Sequence, residues 1–190
     1  MSKHIQTQTE WEQTMARRVM EQLRGELYLD QRYLTAALGA LPPAPQQGGG
    51  SFATDGGRLY YPTAWLLDTY RKNRRYLPRA YLHSLFHCIF RHLWLRDKRD
   101  PDLWGLACDI AVESMLDDMY VKCIRVAPTP FRRDWYGRLH AKLTVLNAEG
   151  VYRVLKEEQL EPRRLERLAA EFLVDDHSFW DLPGDSPKTP

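Results

Sequence analysis

Tyr81-Leu82-His83-Ser84-Leu85-Phe86-His87-Cys88-Ile89-Phe90-Arg91-His92 is the stretch whose reading decides the fold. It is rich in apolar side chains and free of glycine and proline, and it predicts the middle of a helix running from about Leu77 to Leu95. His83 and His87 then stand about 40° apart and one turn displaced. From those positions two imidazoles of one helix reach a single zinc ion at about 2.0–2.1 Å. His92 lies roughly 180° round the same helix from His83, so it joins them only where the helix ends first. Its plainer reading is a helix-end histidine favoured by the dipole.

Two histidines need a third ligand, and the next segment offers one. Leu103–Val112 is almost wholly apolar, yet it carries Asp109, with Glu113 following one turn later. Carboxylates within an apolar run need a partner, because an unpaired buried charge is costly. An antiparallel helix pair, one offering His83 and His87 and the other Asp109 and Glu113, satisfies both needs with one divalent cation. A second reading stays open. Residues 71–99 carry nine basic side chains and one acidic, whereas residues 100–120 carry six acidic and no basic ones. Helices of opposite sign also pair through surface ion networks, each pair contributing little.

Outward from this core, residues 8–41 read as helix broken near Gly25 or Asp30, with Thr9 and Glu12 at capping-box spacing. PPAPQQGGG (42–50) reads as a flexible linker with no capacity to pack. SFATDGGRLYY (51–61) predicts a β-hairpin turning at Asp55-Gly56-Gly57. Pro62 opens a helix to about Asn73, and Pro101 another that runs to about Met119. VKCIRVA (121–127) suits a short strand, and helices follow over 130–142, 148–158 and 162–172. The expected fold class is mainly α (α+β), a helical domain with a small β-hairpin or sheet. It forms one domain over 1–190: N-terminal helices 1–41, the linker 42–50, a metal-site core 51–180 and a polar tail 181–190.

The chain has 190 residues, a formal charge of +2, 44% hydrophobic and 27% charged residues. That composition is globular, and no apolar run reaches the roughly 18 residues a membrane span needs. The polar start MSKHIQTQTEWEQ predicts no secretory signal. Three cysteines without a CxxC spacing suit a reducing, cytoplasmic setting and argue against a zinc ribbon. Cys88 and Cys108 read as small core residues. The near-neutral charge and the lack of a nucleic-acid-binding motif argue against nucleic acid as partner, and RKNRRYLPR (71–79) reads as a solvated helix end. Neither a P-loop, a GxGxxG nor a Gly-x-Ser-x-Gly motif is present, so nucleotide binding and serine hydrolysis lack support.

HSLFHCIFRH (83–92) followed by DPDLWGLACDIAVE (100–113) resembles the metallopeptidase-like, zincin-like domain that precedes a von Willebrand factor A-like domain in certain bacterial cytosolic proteins. TDGGRLYYPTAWL (54–66), LNAEGVYRVL (146–155) and DDHSFW (175–180) resemble further segments of that family, so the likeness spans about residues 50 to 180. By resemblance, His83, His87, His92 and Asp109 fall on the family's metal-site positions and His177 on its terminal Asp-His motif. A plain surface histidine beside two carboxylates is the other reading of His177. The resemblance implies zinc or another divalent metal, a von Willebrand-like partner in cis or in trans, and an associated ATPase. In zincins an extended peptide or protein ligand pairs with an edge strand beside the metal cleft, a role open to the 51–61 hairpin besides that of a plain turn.

One departure bears on activity. The zincin pattern places a glutamate general base directly after the first histidine. Here that residue is Ser84, whose hydroxyl accepts no proton at neutral pH without a base of its own. The expected function is therefore a metal-binding, metallopeptidase-like domain with weak or no peptidase activity. One alternative is an active zinc hydrolase in which Glu113 or another acid takes the base role. The other is a metal-free helical interaction module.

Overall fold

The computed structural model describes residues 6–181. Thr7 opens the first helix, α1 (Gln8–Asp30): its hydroxyl accepts from the Glu10 amide, and the Glu10 carboxylate accepts from the Thr7 amide. This capping box lies two residues before the expected one at Thr9, and α1 runs unbroken through Gly25. A 3₁₀ turn (Arg32–Leu34) leads into α2 (Thr35–Ala40). The segment expected as a linker instead contains a strand, β1 (Pro43–Gln46). β1 pairs in parallel with β3 (Leu59–Pro62), Pro43 opposite Leu59, and β2 (Ala53–Thr54) pairs antiparallel on the other side, giving the order β1-β3-β2. Two prolines are tolerated because β1 is an edge strand with one hydrogen-bonding side unused.

The hairpin turn between β2 and β3 is tightly specified. Asp55 Oδ1 accepts from the Gly57 and Arg58 amides, both at 2.8 Å, and Tyr60 donates to Oδ2. Gly56 has φ +86°, and a Cβ there would stand 2.4 Å from the Trp94 ring. Only glycine fits both demands.

Beyond the sheet come α3 (Thr63–Asn73), α4 (Tyr76–Ile89), α5 (Pro101–Asp118), α6 (Pro130–His140), α7 (Ala148–Glu158) and α8 (Pro162–Phe172), with a last 3₁₀ turn at Ser178–Asp181. Start signals are chemical. Asp100, Thr129 and Asn147 each accept a backbone amide of the first turn, and Pro101, Pro130 and Pro162 occupy first positions. The fold is thus mainly α with a small sheet, as expected, and no helix is long and apolar enough to cross a membrane among the described residues. Two expectations differ. α4 ends at Ile89 and not near Leu95, and residues 121–127 form no strand but a turn over 122–124 with irregular backbone around it. The polar residues 182–190 lie outside the described part.

Two apolar clusters share one helix. Val112 and Leu116 of α5 pack in a cluster with α1, α3, α4 and the sheet, while Trp104, Ala107, Cys108 and Ile110 pack in a second with α6, α7 and α8. α5 is therefore buried nearly all round, which is why its apolar run shows no polar face. Leu77 to His87 of α4 is likewise continuously buried. Polar side chains on these two helices have to find partners inside the fold.

Candidate metal centre

His83 and His87 of α4 project toward Asp109 and Glu113 of α5, and all four are buried. The two Nε2 atoms are 2.8 Å apart, and Asp109 Oδ1 is 3.0 Å from that of His83 and 3.2 Å from that of His87. A fourth residue, Asp175, arrives from the segment after α8. Its Oδ1 lies 3.6 Å and 3.7 Å from the same two nitrogens. Four donor atoms at the corners of a tetrahedron around zinc, with bonds of about 2.0–2.1 Å, stand roughly 3.3–3.4 Å apart. Five of the six separations, at 2.8–3.7 Å, bracket that edge and all four atoms lie within 4.8 Å of one another, so the set could hold one small divalent ion. Asp109 Oδ2 has no hydrogen-bond partner despite full burial, a further sign of an unmet demand for positive charge.

The outward atoms of these donors are held. His83 Nδ1 is 2.9 Å from Glu113 Oε1, an arrangement in which the ring donates to the carboxylate and turns Nε2 toward the centre. Ser84 donates to Asp175 Oδ2 at 2.6 Å. His87 Nδ1 meets His92 Nδ1 at 2.9 Å. Burial first, then the neighbouring His87, pushes His92 down to about 3 and keeps it neutral, so it can accept the proton that His87 carries on Nδ1. Against the cost of burial, the hydrogen bonds that Asp109 and Glu113 accept from its ring raise His83 to about 9. His177 rises to about 10, as the charges of Asp109 and Asp175 outweigh its burial.

His92 reaches this place because α4 stops. Arg91 adopts φ +61°, the His92 amide bonds to His87 O at 3.0 Å and the Arg91 amide to Cys88 O at 3.1 Å. This Schellman turn folds the chain back so that His92 backs His87 instead of facing the centre. Trp104 Nε1 donates to His92 O at 3.1 Å and pins the turn from α5. Arginine tolerates the left-handed conformation poorly, so Arg91→Gly is expected to raise stability by about 0.5–1 kcal/mol, read as a higher urea midpoint at unchanged slope.

Glu113 is engaged on both oxygens. Oε2 accepts from Arg79 Nη2 at 2.7 Å and from Arg132 Nη1 of α6, while Oε1 faces His83. Arg79 also bonds Asp117 at 2.6 Å, and Asp117 accepts from Tyr136 at 2.8 Å. Burial alone would raise the Glu113 carboxyl, but the His83 hydrogen bond and the charges of His83, Arg79 and Arg132 hold it at about 2. Ser84, whose hydroxyl donates to Asp175, is no freer.

His177 sits over the two aspartates, 2.9 Å from Asp175 Oδ1 and 3.2 Å from Asp109 Oδ1, and stacks on Trp180 at 3.7 Å. A cleft of about 650 Å³ opens on this side, lined among others by Leu106, Asp109, Asp175, His177 and Trp180. Gly105 makes room for the imidazole: a Cβ there would stand 2.7 Å from His177 Nδ1. Between Asp175 and His177, Asp176 bridges to Ala53 and its amide bonds to Phe52 O at 2.7 Å. Pairing at Asp176 leaves its two neighbours turned toward the donors, as alternate positions of a strand are. That alternation within DDH was the available signal for Asp175, which sequence reasoning did not nominate. Nothing local marked Arg79 or Arg132. Cys88, Cys108 and Cys123 are free thiols, all raised by burial and so poor ligands at neutral pH.

Fold and site together define a helical domain with a buried His–Asp group able to hold a metal ion. A family model described as "Putative metallopeptidase domain" matches residues 16–172, and the chain belongs to that family. The matched span includes His83, His87, Asp109 and Glu113 and stops short of Asp175 and His177. No curated protein and no solved structure matches the chain.

Proposed function

We propose that this domain binds one zinc ion, or a similar divalent metal, through His83, His87, Asp109 and Asp175, and that it has weak or no peptidase activity. The observation that carries the reading is the convergence of four buried donor atoms from α4, α5 and the C-terminal segment. Two imidazoles and two carboxylates are ligands that zinc accepts. When bound, the ion would supply Lewis acidity on the wall of the cleft. The chain's own residues orient it. Glu113 and His92 set the ring protons of His83 and His87, and Ser84 holds Asp175. His177 stands at the cleft side and holds both aspartates from there.

Weak or absent hydrolysis follows from the fate of the two nominated catalytic groups. A general base must take a proton within hydrogen-bond reach of the reacting water. Ser84 donates its hydroxyl hydrogen bond to Asp175, and both oxygens of Glu113 are already engaged, by Arg79 and Arg132 on one side and His83 on the other. The resemblance adds a cytoplasmic setting, a von Willebrand-like module as partner in cis or in trans, an associated ATPase, and a peptide or protein ligand.

Elemental analysis of tag-free purified protein tests the core of this reading. Close to one zinc per chain is expected, absent from His83→Ala/His87→Ala. A wild-type protein that holds no metal after incubation with zinc overturns it. Hydrolysis of unstructured peptides by the zinc-loaded protein, above the level of the double variant, overturns the assignment of weak or absent activity.

A further inference from the structure

We infer that Arg132, on α6 and far from the metal donors in sequence, is a positioning residue for the metal site, acting through Glu113 on His83. The inference rests on the metal reading above. Arg132 Nη1 bonds Glu113 Oε2, and Glu113 Oε1 in turn faces His83 Nδ1 at 2.9 Å. The guanidinium is itself anchored from the opposite side. Its Nε donates to Glu171 Oε1 at 3.0 Å and its Nη2 to the Glu171 backbone oxygen at 2.7 Å, both on α8. Its plane packs over Phe172, 5.0 Å from the ring centroid. With three nitrogens committed, Arg132 has little freedom to follow Glu113, so Glu113 has to come to it.

This geometry assigns distinct tasks to the two arginines on Glu113. Arg79 lies on α4, the helix that carries His83, and moves with it. Arg132 belongs to a separate element and fixes the carboxylate relative to α6 and α8. A carboxylate held from two directions offers His83 Nδ1 one acceptor position, which keeps the ring proton on that nitrogen and Nε2 aimed at the other donors. Partners of this kind behind a metal-ligating histidine typically change metal affinity by about 10–100-fold when removed.

The test compares zinc affinity by competition with a chromogenic chelator, together with the visible spectrum of the cobalt-substituted protein, in wild type, Arg132→Met and Arg132→Lys. Arg132→Met is expected to weaken zinc binding by about 10–100-fold and to shift the cobalt bands, with partial recovery of both in Arg132→Lys. A merely structural role would lower the melting temperature of the metal-free protein and leave affinity and spectrum unchanged, and that result overturns the inference. Should Arg132→Met not fold, Glu171→Ala, which removes the side-chain acceptor of Arg132 Nε while leaving the guanidinium and its charge, decides by the same two readouts. Wild-type protein that binds neither metal overturns the metal reading and this inference together. Binding by wild type with unaffected variants overturns this inference alone.

Discussion

Stripping the metal from the wild-type protein is expected to lower its melting temperature by about 8–16 °C, and to do nothing comparable to His83→Ala/His87→Ala. The size follows from linkage. A ligand present at about 1,000 times its dissociation constant stabilises the folded state by about 4 kcal/mol. In a domain of this length each kcal/mol corresponds to about 2–4 °C. The effect is concentrated here because the donors come from α4, α5 and the segment after α8, elements far apart in the sequence that one ion would tie together. The metal-free site is also poorly satisfied. Two imidazole nitrogens 2.8 Å apart tolerate each other only with a proton between them, and Asp109 Oδ2 has no partner. Thermal unfolding with and without chelator, in both proteins, reads the difference. Equal shifts, or none, would mean that the histidines serve as buried core groups without metal, the helical interaction module.

Glu113→Gln is expected to destabilise the protein by about 3 kcal/mol, at the low end for a broken buried ion pair, and to leave peptide hydrolysis where it was. Arg79 and Glu113 are 6% and 1% exposed, so the amide would leave guanidinium charge buried with less compensation. Asp117 remains for Arg79 and Glu171 for Arg132, which keeps the cost from being larger. The pH dependence has a defined sign. Glu113 is held at about 2 against an ordinary value of 4.5, so its contribution is full above about pH 4.5 and is lost as pH falls toward 2. Glu113→Gln should flatten the acid limb of stability in that window. Denaturant titrations between pH 2 and 7 measure both effects. If the substitution instead removed a measurable zinc-dependent hydrolysis while barely changing stability, Glu113 would be the base of an active hydrolase.

Much of the frame was legible locally. α7 and α8 begin and end where the polar caps, prolines and apolar spacing place them, and the Asp55-Gly56-Gly57 turn sits where its residues demand. These features depend on neighbours a few residues away. The same holds for His83 with His87 and for Asp109 with Glu113, because a four-residue spacing on a helix puts both members on one face whatever surrounds them.

What local rules could not supply were the long-range partners. β1 reads as a linker because Pro43 and Pro45 offer no helical or alternating pattern, and only the neighbouring β3 turns it into a strand. His92 lies on the wrong side of an ideal helix, and it reaches His87 because Trp104 and the Arg91 turn end α4 early. Asp175 meets Ser84 across 91 positions, and Arg132 meets Glu113 from another helix. By itself the sequence determined which helices form and which faces carry donors. Packing decided which donors meet, and whether Glu113 is free or clamped, because burial makes every charge seek a partner and only the folded chain determines which partners are within reach.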